Sequence, residues 1–317
     1  MTLESYEIFC MDDVEVRETT WLWYPYIPFG KVTIIQGDPG EGKTTLALNI
    51  AAALTRGEMF GTGEKTEAGT VLYQTAEDGI SDTIKPRLTA ANADCKKVMF
   101  VDENYEPLSF TDERLEEAIQ RIHPKLVILD PLQAYLGANV DMHRANEVRP
   151  VMSRLSQLAH NYGCAIILIG HMNKNMGTKS AYRGLGSIDI TAAARSVLIV
   201  AREKHDKQVR VVAHVKSSLA PEGETVAFRL DEHNGLTYIG EYKAEIDELL
   251  MGVSQGTQSE AAAVLIKTML KDGERPCIEI YNAAAEQNIS PSTLRRAKKE
   301  LNVKDEKRGN IWFWTLQ

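Results

Sequence analysis

The stretch Gly37-Asp38-Pro39-Gly40-Glu41-Gly42-Lys43-Thr44 fits the pattern G-x-x-x-x-G-K-[ST], and it leaves the chain little choice of fold. An apolar run at residues 32–35 precedes it and reads as a buried strand. Residues 45–54 follow as a helical pattern that stops at Gly57. Strand, glycine-rich turn and helix N-terminus together form the setting in which this pattern cradles phosphate. Backbone N–H groups turn inward around the anion, and the helix's unpaired N–H groups and dipole favour negative charge. Lys43 has the reach for β- and γ-phosphates, and the Thr44 hydroxyl suits Mg²⁺. Gly37, Asp38, Pro39, Gly40, Glu41, Gly42, Lys43, Thr44 and Thr45 are therefore the expected ATP-binding residues, with Mg²⁺ as the companion ion.

From residue 31 to about 200, apolar runs at 71–73, 98–101, 126–129, 165–169 and 197–200 alternate with helical patterns. The clearest helix repeats Val148, Val151, Met152, Leu155 and Leu158 on one face. Such alternation predicts an α/β domain with a mainly parallel sheet and crossover helices. After residue 205 strand follows strand (209–215, 226–230, 236–239), which predicts an antiparallel extension. Residues 1–20 are acidic and weakly patterned. The aromatic and proline-rich stretch 21–28 has the chemistry to flank an adenine ring, and packing under the sheet is the favoured expectation. The expected division is an ATPase domain over 1–240, a linker over 241–258 and a small domain over 259–317.

The chain has 317 residues with a net charge of −8, so any nucleic-acid binding must come from local basic patches. No apolar run approaches the roughly 18 residues of a membrane span, and no signal-peptide pattern opens the sequence. Four scattered cysteines without a CxxC pair argue against a zinc site or a disulfide framework. A cytoplasmic protein with no membrane partner is the expectation.

Two acids complete the expected chemistry. The run 126–129 ends in Asp130, where a carboxylate at a strand tip can hold Mg²⁺ beside Thr44. Pro131 follows rather than a second acid, so the base must come from elsewhere. The second strand leads to Glu77-Asp78-Gly79, and Glu77 is the expected acceptor of the proton from attacking water, with Asp78 its rival.

Phosphate loop, acid after the second strand, Asp130 and then Ile169-Gly170-His171 resemble, in order, the motifs of the RecA-like ATPase core. More narrowly, the order is similar to plasmid RepA-type and DnaB-like hexameric helicases and related ATPases of mobile elements. The resemblance covers residues 20 to 240. It implies that His171 senses the γ-phosphate and links it to a DNA-binding loop. The following stretch, 173–187, carries Lys174, Lys179 and Arg183 with no acid, one aromatic residue and three glycines. Cations on flexible backbone suit single-stranded DNA. The resemblance also implies a homo-oligomer, possibly a hexamer, in which a neighbour supplies a cationic finger. Arg87, Arg195 and Lys216 are the candidates, and the relatives' usual basic pair is replaced here by Lys216 and two serines.

Residues 259–317 read as a winged helix-turn-helix. Helical patterns span 259–270 and 278–287, Ser290 caps a third helix and Pro291 opens it. Leu294, Ala297 and Leu301 face inward, leaving Arg295, Arg296, Lys298 and Lys299 outside. A basic hairpin turn over 304–310 leads to the apolar run 311–314. Seven basic against three acidic residues over 290–308 favour duplex DNA as the partner. The expected activity is Mg-dependent ATP hydrolysis coupled to DNA unwinding or remodelling. An ATP-switched DNA-binding regulator or scaffold is the alternative.

Overall fold

A computed structural model describes residues 8–61, 65–103, 106–137, 140–142, 144–172, 188–231, 235–243, 258–271, 273–287, 289–309 and 311–316. Two compact units make up the chain, Met1–Leu250 and Met251–Gln317.

In the first unit, β1 (Trp21–Trp23) and β2 (Ile27–Pro28) form a small hairpin. Nine further strands form one sheet: β3 (Val32–Gly37), β4 (Val71–Thr75), β5 (Val98–Met99), β6 (Leu126–Asp130), β7 (Ala165–His171), β8 (Ser196–Arg202), β9 (Val209–Ser217), β10 (Val226–Leu230) and β11 (Leu236–Glu241). Their order is β11-β10-β9-β8-β3-β7-β6-β4-β5. Pairing is parallel from β8 through β3, β7, β6 and β4 to β5, and antiparallel from β8 outward to β11. The expected parallel core and antiparallel extension are both present. Every residue of β3 and β6 is buried, which is why these strands read as continuous apolar runs rather than alternating ones.

Helices cover both faces. α1 (Lys43–Arg56) and α2 (Lys85–Ala90) lie with the β1–β2 hairpin on one face. The other face carries α3 (Glu113–Ile122), α4 (Leu132–Tyr135), α5 (Ala145–Tyr162) and α6 (Ile188–Ala193). α1 is buried nearly all round, and Ala51, Ala52 and Ala53 let it approach the sheet closely. The aromatic stretch divides: Trp23 is buried with Tyr26 and Phe60, whereas Tyr24 is exposed.

The strand expected over 98–101 is cut to Val98–Met99. Gln74 on β4 takes over from the ladder. Its Oε1 accepts from Val101 N at 2.5 Å, and its Nε2 donates to Val101 O at 3.2 Å and Glu103 Oε1 at 2.6 Å. Side-chain hydrogen bonds thus satisfy this backbone in place of a neighbouring strand.

A buried histidine fastens the hairpin to the extension. Ser196 Oγ donates to Tyr26 O at 2.5 Å, and His214 Nε2 lies 3.0 Å from the same hydroxyl. Gly223 N donates to His214 Nδ1 at 2.9 Å, so the neutral ring with its proton on Nε2 satisfies every partner. Burial pushes the His214 pKa down from 6.5 to about 4. The unfolded chain therefore binds more protons between these values, and stability falls as pH drops from about 6.5 to about 4. The loss is on the order of 3 kcal/mol. Melting temperature against pH should show this decline, and His214→Gln should flatten it in that window; an unchanged profile would remove His214 as the cause.

The second unit contains α7 (Gln258–Met269), β12 (Arg275–Pro276), α8 (Cys277–Glu286), α9 (Pro291–Glu300), β13 (Lys304–Arg308) and β14 (Ile311–Thr315). β14 pairs antiparallel with both β12 and β13. Ala262, Ile266, Ile280, Ala284, Leu294, Ala297 and Trp314 are among its core residues. Ser290 Oγ accepts from Thr293 N at 3.2 Å and caps α9, whose first residue is Pro291. Two expectations need correction. Residues 304–308 are a strand rather than part of a turn. Lys298 is not left outside: it pairs with Asp305 and lies 4.7 Å from the Trp314 ring centroid. The cation–π contact and the ion pair draw the long side chain back over the sheet.

Candidate nucleotide site

The phosphate loop leaves β3 at Gly37 and enters α1 after Gly42. A Cβ on Gly37 would lie 2.2 Å from Val200 O, so only glycine lets the loop pass β8. Gly42 caps α1 at φ +91°, a conformation open to glycine at no steric cost. Lys43 folds back over the loop, donating to Gly37 O at 2.9 Å and Asp38 O at 2.8 Å. Burial lowers its pKa, and Asp130, Asp38, Glu41 and Glu77 oppose that shift.

Thr44 Oγ1 donates to Asp130 Oδ2 at 2.7 Å, and Tyr73 OH reaches the same oxygen at 3.1 Å. Asp130 is buried. Its pKa is raised by that burial, while Thr44 and Tyr73 pull it down and Asp78 and Glu77 push it up. A buried carboxylate beside further acids and a hydroxyl is a donor set that a hard divalent cation would relieve. The residues present therefore fit Mg²⁺ held at Thr44 and Asp130.

Glu77 follows β4 and stands largely exposed, its Oε1 3.6 Å from His171 Nε2 at the end of β7. Gln133 Nε2 reaches His171 O at 3.5 Å. Lys43, Thr44, Asp130, Glu77 and His171 thus converge where the tips of β3, β4, β6 and β7 meet. Asp78 is engaged differently, accepting from Arg87 Nη1 at 3.1 Å. This pairing places Arg87 beside its own chain's acids.

The other finger candidates are further from this cluster in role. Lys216 Nζ donates to Thr191 O, Ala192 O and Ala194 O at 2.9, 2.8 and 2.8 Å, capping the C-terminal end of α6. Burial and then Arg195 lower its pKa. An ammonium saturated by three carbonyls is a helix clamp in this fold. Arg195 is exposed just before β8, its backbone N–H donating to Val32 O at 3.0 Å. Lys174, Lys179 and Arg183 lie outside the described residues, as do residues 244–257 of the expected linker.

Two arginines at the loop escaped the sequence reading. Arg202 on β8 and Arg210 on β9 are cross-strand partners. Arg202 Nη2 donates to Gly40 O at 3.2 Å and lies 3.7 Å from Glu41 Oε1. Arg210 is buried, and burial together with Arg202 lowers its pKa. With Leu230, whose Cδ1 would stand 3.1 Å from a Cβ on Gly42, Arg210 backs the loop from the extension. Only the strand register brings these residues to the loop, although an arginine closing an otherwise apolar strand was visible in the sequence.

A parallel sheet with an antiparallel flank, a P-loop between β3 and α1, acids just after β4 and an acid at the end of β6 define a RecA-like P-loop ATPase. The chain belongs to the AAA domain family, whose model matches residues 9–177. It is similar to DNA repair protein RadA of Streptococcus pneumoniae (strain ATCC BAA-255 / R6), with 24% identity over 91% of this chain and 60% of that protein. RadA of Bacillus subtilis (strain 168) is 27% identical over 91% of this chain and 55% of its own length. The chain thus spans little more than half the length of these relatives. The solved ATPase domain of G40P shares the fold, with a TM-score of 0.51 and 16% identity over 67% of this chain and 85% of that one. Among the described residues, no helix is long and apolar enough to cross a membrane.

Proposed function

We propose that the protein is a Mg-dependent ATPase that binds DNA and couples hydrolysis to its unwinding or remodelling. Replication or maintenance of a plasmid, phage or other mobile element is the setting this reading favours. The observation that carries it is the convergence of Lys43, Thr44, Asp130, Glu77 and His171, with His171 one strand end away from the basic segment 173–187. Lys43 leaves the loop carbonyls for the phosphates, and Thr44 and Asp130 hold Mg²⁺, which supplies charge neutralisation there. Glu77 orients and deprotonates the attacking water. His171, 3.6 Å from Glu77, carries the state of that carboxylate to the basic segment. The name of the relatives, DNA repair protein RadA, supports DNA as the partner.

In the second unit we read a winged helix-turn-helix, with α9 as the helix that enters the major groove. Arg295, Arg296 and Lys299 are exposed on it, whereas Lys298 braces the β13–β14 hairpin. Arg295→Ala/Arg296→Ala should weaken duplex binding and lower the slope of log affinity against log salt by about 1 to 2. Fluorescence anisotropy across a salt series measures both, and an unchanged slope would remove α9 from the interface.

The test of the main reading is ATP hydrolysis across a titration of single-stranded DNA at low and moderate salt. Salt-sensitive stimulation is expected. Hydrolysis indifferent to DNA would favour the regulator that uses ATP as an assembly switch.

A further inference from the structure

Gln36, the residue before the phosphate loop's first glycine, is fully buried on β3. Neither its Oε1 nor its Nε2 has a hydrogen-bond partner among the described residues. A carboxamide buried in this way is costly, because it gives up water at both atoms and nothing replaces it. Side chains alternate along a strand, so Gln36 shares a face with Ile34, which packs in one cluster with Leu168 of β7 and Leu132 of α4. Its cross-strand neighbours are Gly170 on β7 and Ile199 on β8. The glycine leaves room beside the amide, and the isoleucine offers it only hydrocarbon.

A complementary atom belongs to α4 on the same face. Gln133 has a buried Oε1 with no partner among the described residues, and its Nε2 reaches His171 O at 3.5 Å, the outer limit for a hydrogen bond. An unpaired donor on Gln36 and an unpaired acceptor on Gln133 therefore flank the Gly170-His171 end of β7. Each glutamine is also close in sequence to a group that nucleotide would disturb. Gly37, next to Gln36, has its carbonyl held by Lys43 Nζ at 2.9 Å. Asp130, three residues before Gln133, accepts from Thr44 Oγ1 at 2.7 Å. Phosphate claims Lys43, and Mg²⁺ claims Thr44 and Asp130, so binding releases the ends of β3 and β6 from their present partners.

We infer that the Gln36 and Gln133 carboxamides pair when Mg·ATP binds, directly or through one buried water, and so fix the end of β7. The chain then runs from Gln36 Nε2–H to Gln133 Oε1, and from Gln133 Nε2–H to His171 O. Gln36 is a positioning residue here: it acts on His171 through Gln133. The assignment deepens the reading of the site as an ATPase and rests on it. A bond made only in the bound state adds to nucleotide affinity, and binding in turn favours the bond.

Equilibrium binding of a slowly hydrolysed fluorescent ATP analogue with Mg²⁺ tests this in the full chain, in Gln36→Met, in Gln133→Met and in the double variant. Methionine keeps the length of the side chain and removes the amide. Each single change should weaken binding about three- to tenfold, and the double change no more than the larger single effect. Single losses that multiply in the double variant, or a single variant that binds as tightly as the unaltered chain, overturn the pairing and leave the ATP site standing. An unaltered chain that does not bind the analogue overturns both. Melting without nucleotide gives an independent check. Gln36→Met should melt above the unaltered chain, since it removes an unpaired buried amide. A lower melting temperature would mean that the amide is already satisfied, and overturns a pairing that waits for nucleotide.

Discussion

Glu77→Gln should leave ATP bound and slow its hydrolysis by about 10²- to 10⁴-fold, the usual contribution of a positioned general base. The carboxylate is exposed and only loosely held, 3.6 Å from His171 Nε2, so its loss should leave the fold intact. Glutamine keeps the shape and the hydrogen bonding but cannot accept the proton. Phosphate release in the steady state, set beside equilibrium binding of a fluorescent ATP analogue, separates the two effects. If hydrolysis proceeds at the rate of the unaltered chain, the base is elsewhere. Asp78 would then be the next residue to test, although its pairing with Arg87 makes it the poorer acceptor.

Asp130→Asn should act in two opposite directions. In the absence of nucleotide the variant should melt at a higher temperature than the unaltered chain. Burial raises the Asp130 pKa, so its ionised form at neutral pH costs stability. By linkage that cost grows as pH rises above the carboxyl's unfolded value. Asparagine keeps an oxygen for the Thr44 and Tyr73 hydroxyls, which now donate to Asp130 Oδ2 at 2.7 and 3.1 Å, and removes the charge. With Mg·ATP the order should reverse. The unaltered chain gains stability from binding, whereas the variant should gain little and hydrolyse about 10²-fold more slowly or worse, a loss of several kcal/mol of charge stabilisation. Calorimetry with and without Mg·ATP reads both. An apo variant that melts lower would show that the acid, not its replacement, satisfies this site best.

The ATP-binding end of the fold was legible because its signals are local. A glycine that must pass Val200 O, a lysine six residues on at the start of α1 and an apolar run ending in Asp130 can each be read within a few residues. The parallel core was legible for the same reason, since strands covered on both faces need unbroken apolar runs. What stayed hidden depends on register. Arg202 and Arg210 lie eight positions apart in sequence, and only the β8–β9 pairing sets them together behind Gly40 and Gly42. Lys216 stood in the sequence as a candidate finger, and its contact with α6 was hidden because the carbonyls it caps come from a segment 22 to 25 residues earlier. The shortened β5 has the same origin: Gln74 reaches sideways from β4 to take the backbone of Val101, which no propensity of residues 98–101 foretells. Lys298 was misplaced because helical periodicity puts it on an outer face, while Asp305 and Trp314 pull its long side chain inward.

The clamp formed by Lys216 has a mechanical consequence. The segment 173–187 is tethered at one end to β7 and at the other to α6, whose last carbonyls are held by an ammonium rooted in β9. Both tethers run into the same sheet, β7 on one side of β3 and β9 beyond β8 on the other. The chain on either side of that segment is therefore anchored in strands that flank the one ending in the phosphate loop. Cutting the Lys216 anchor would free the last turn of α6 from β9 and so loosen one of these two attachments.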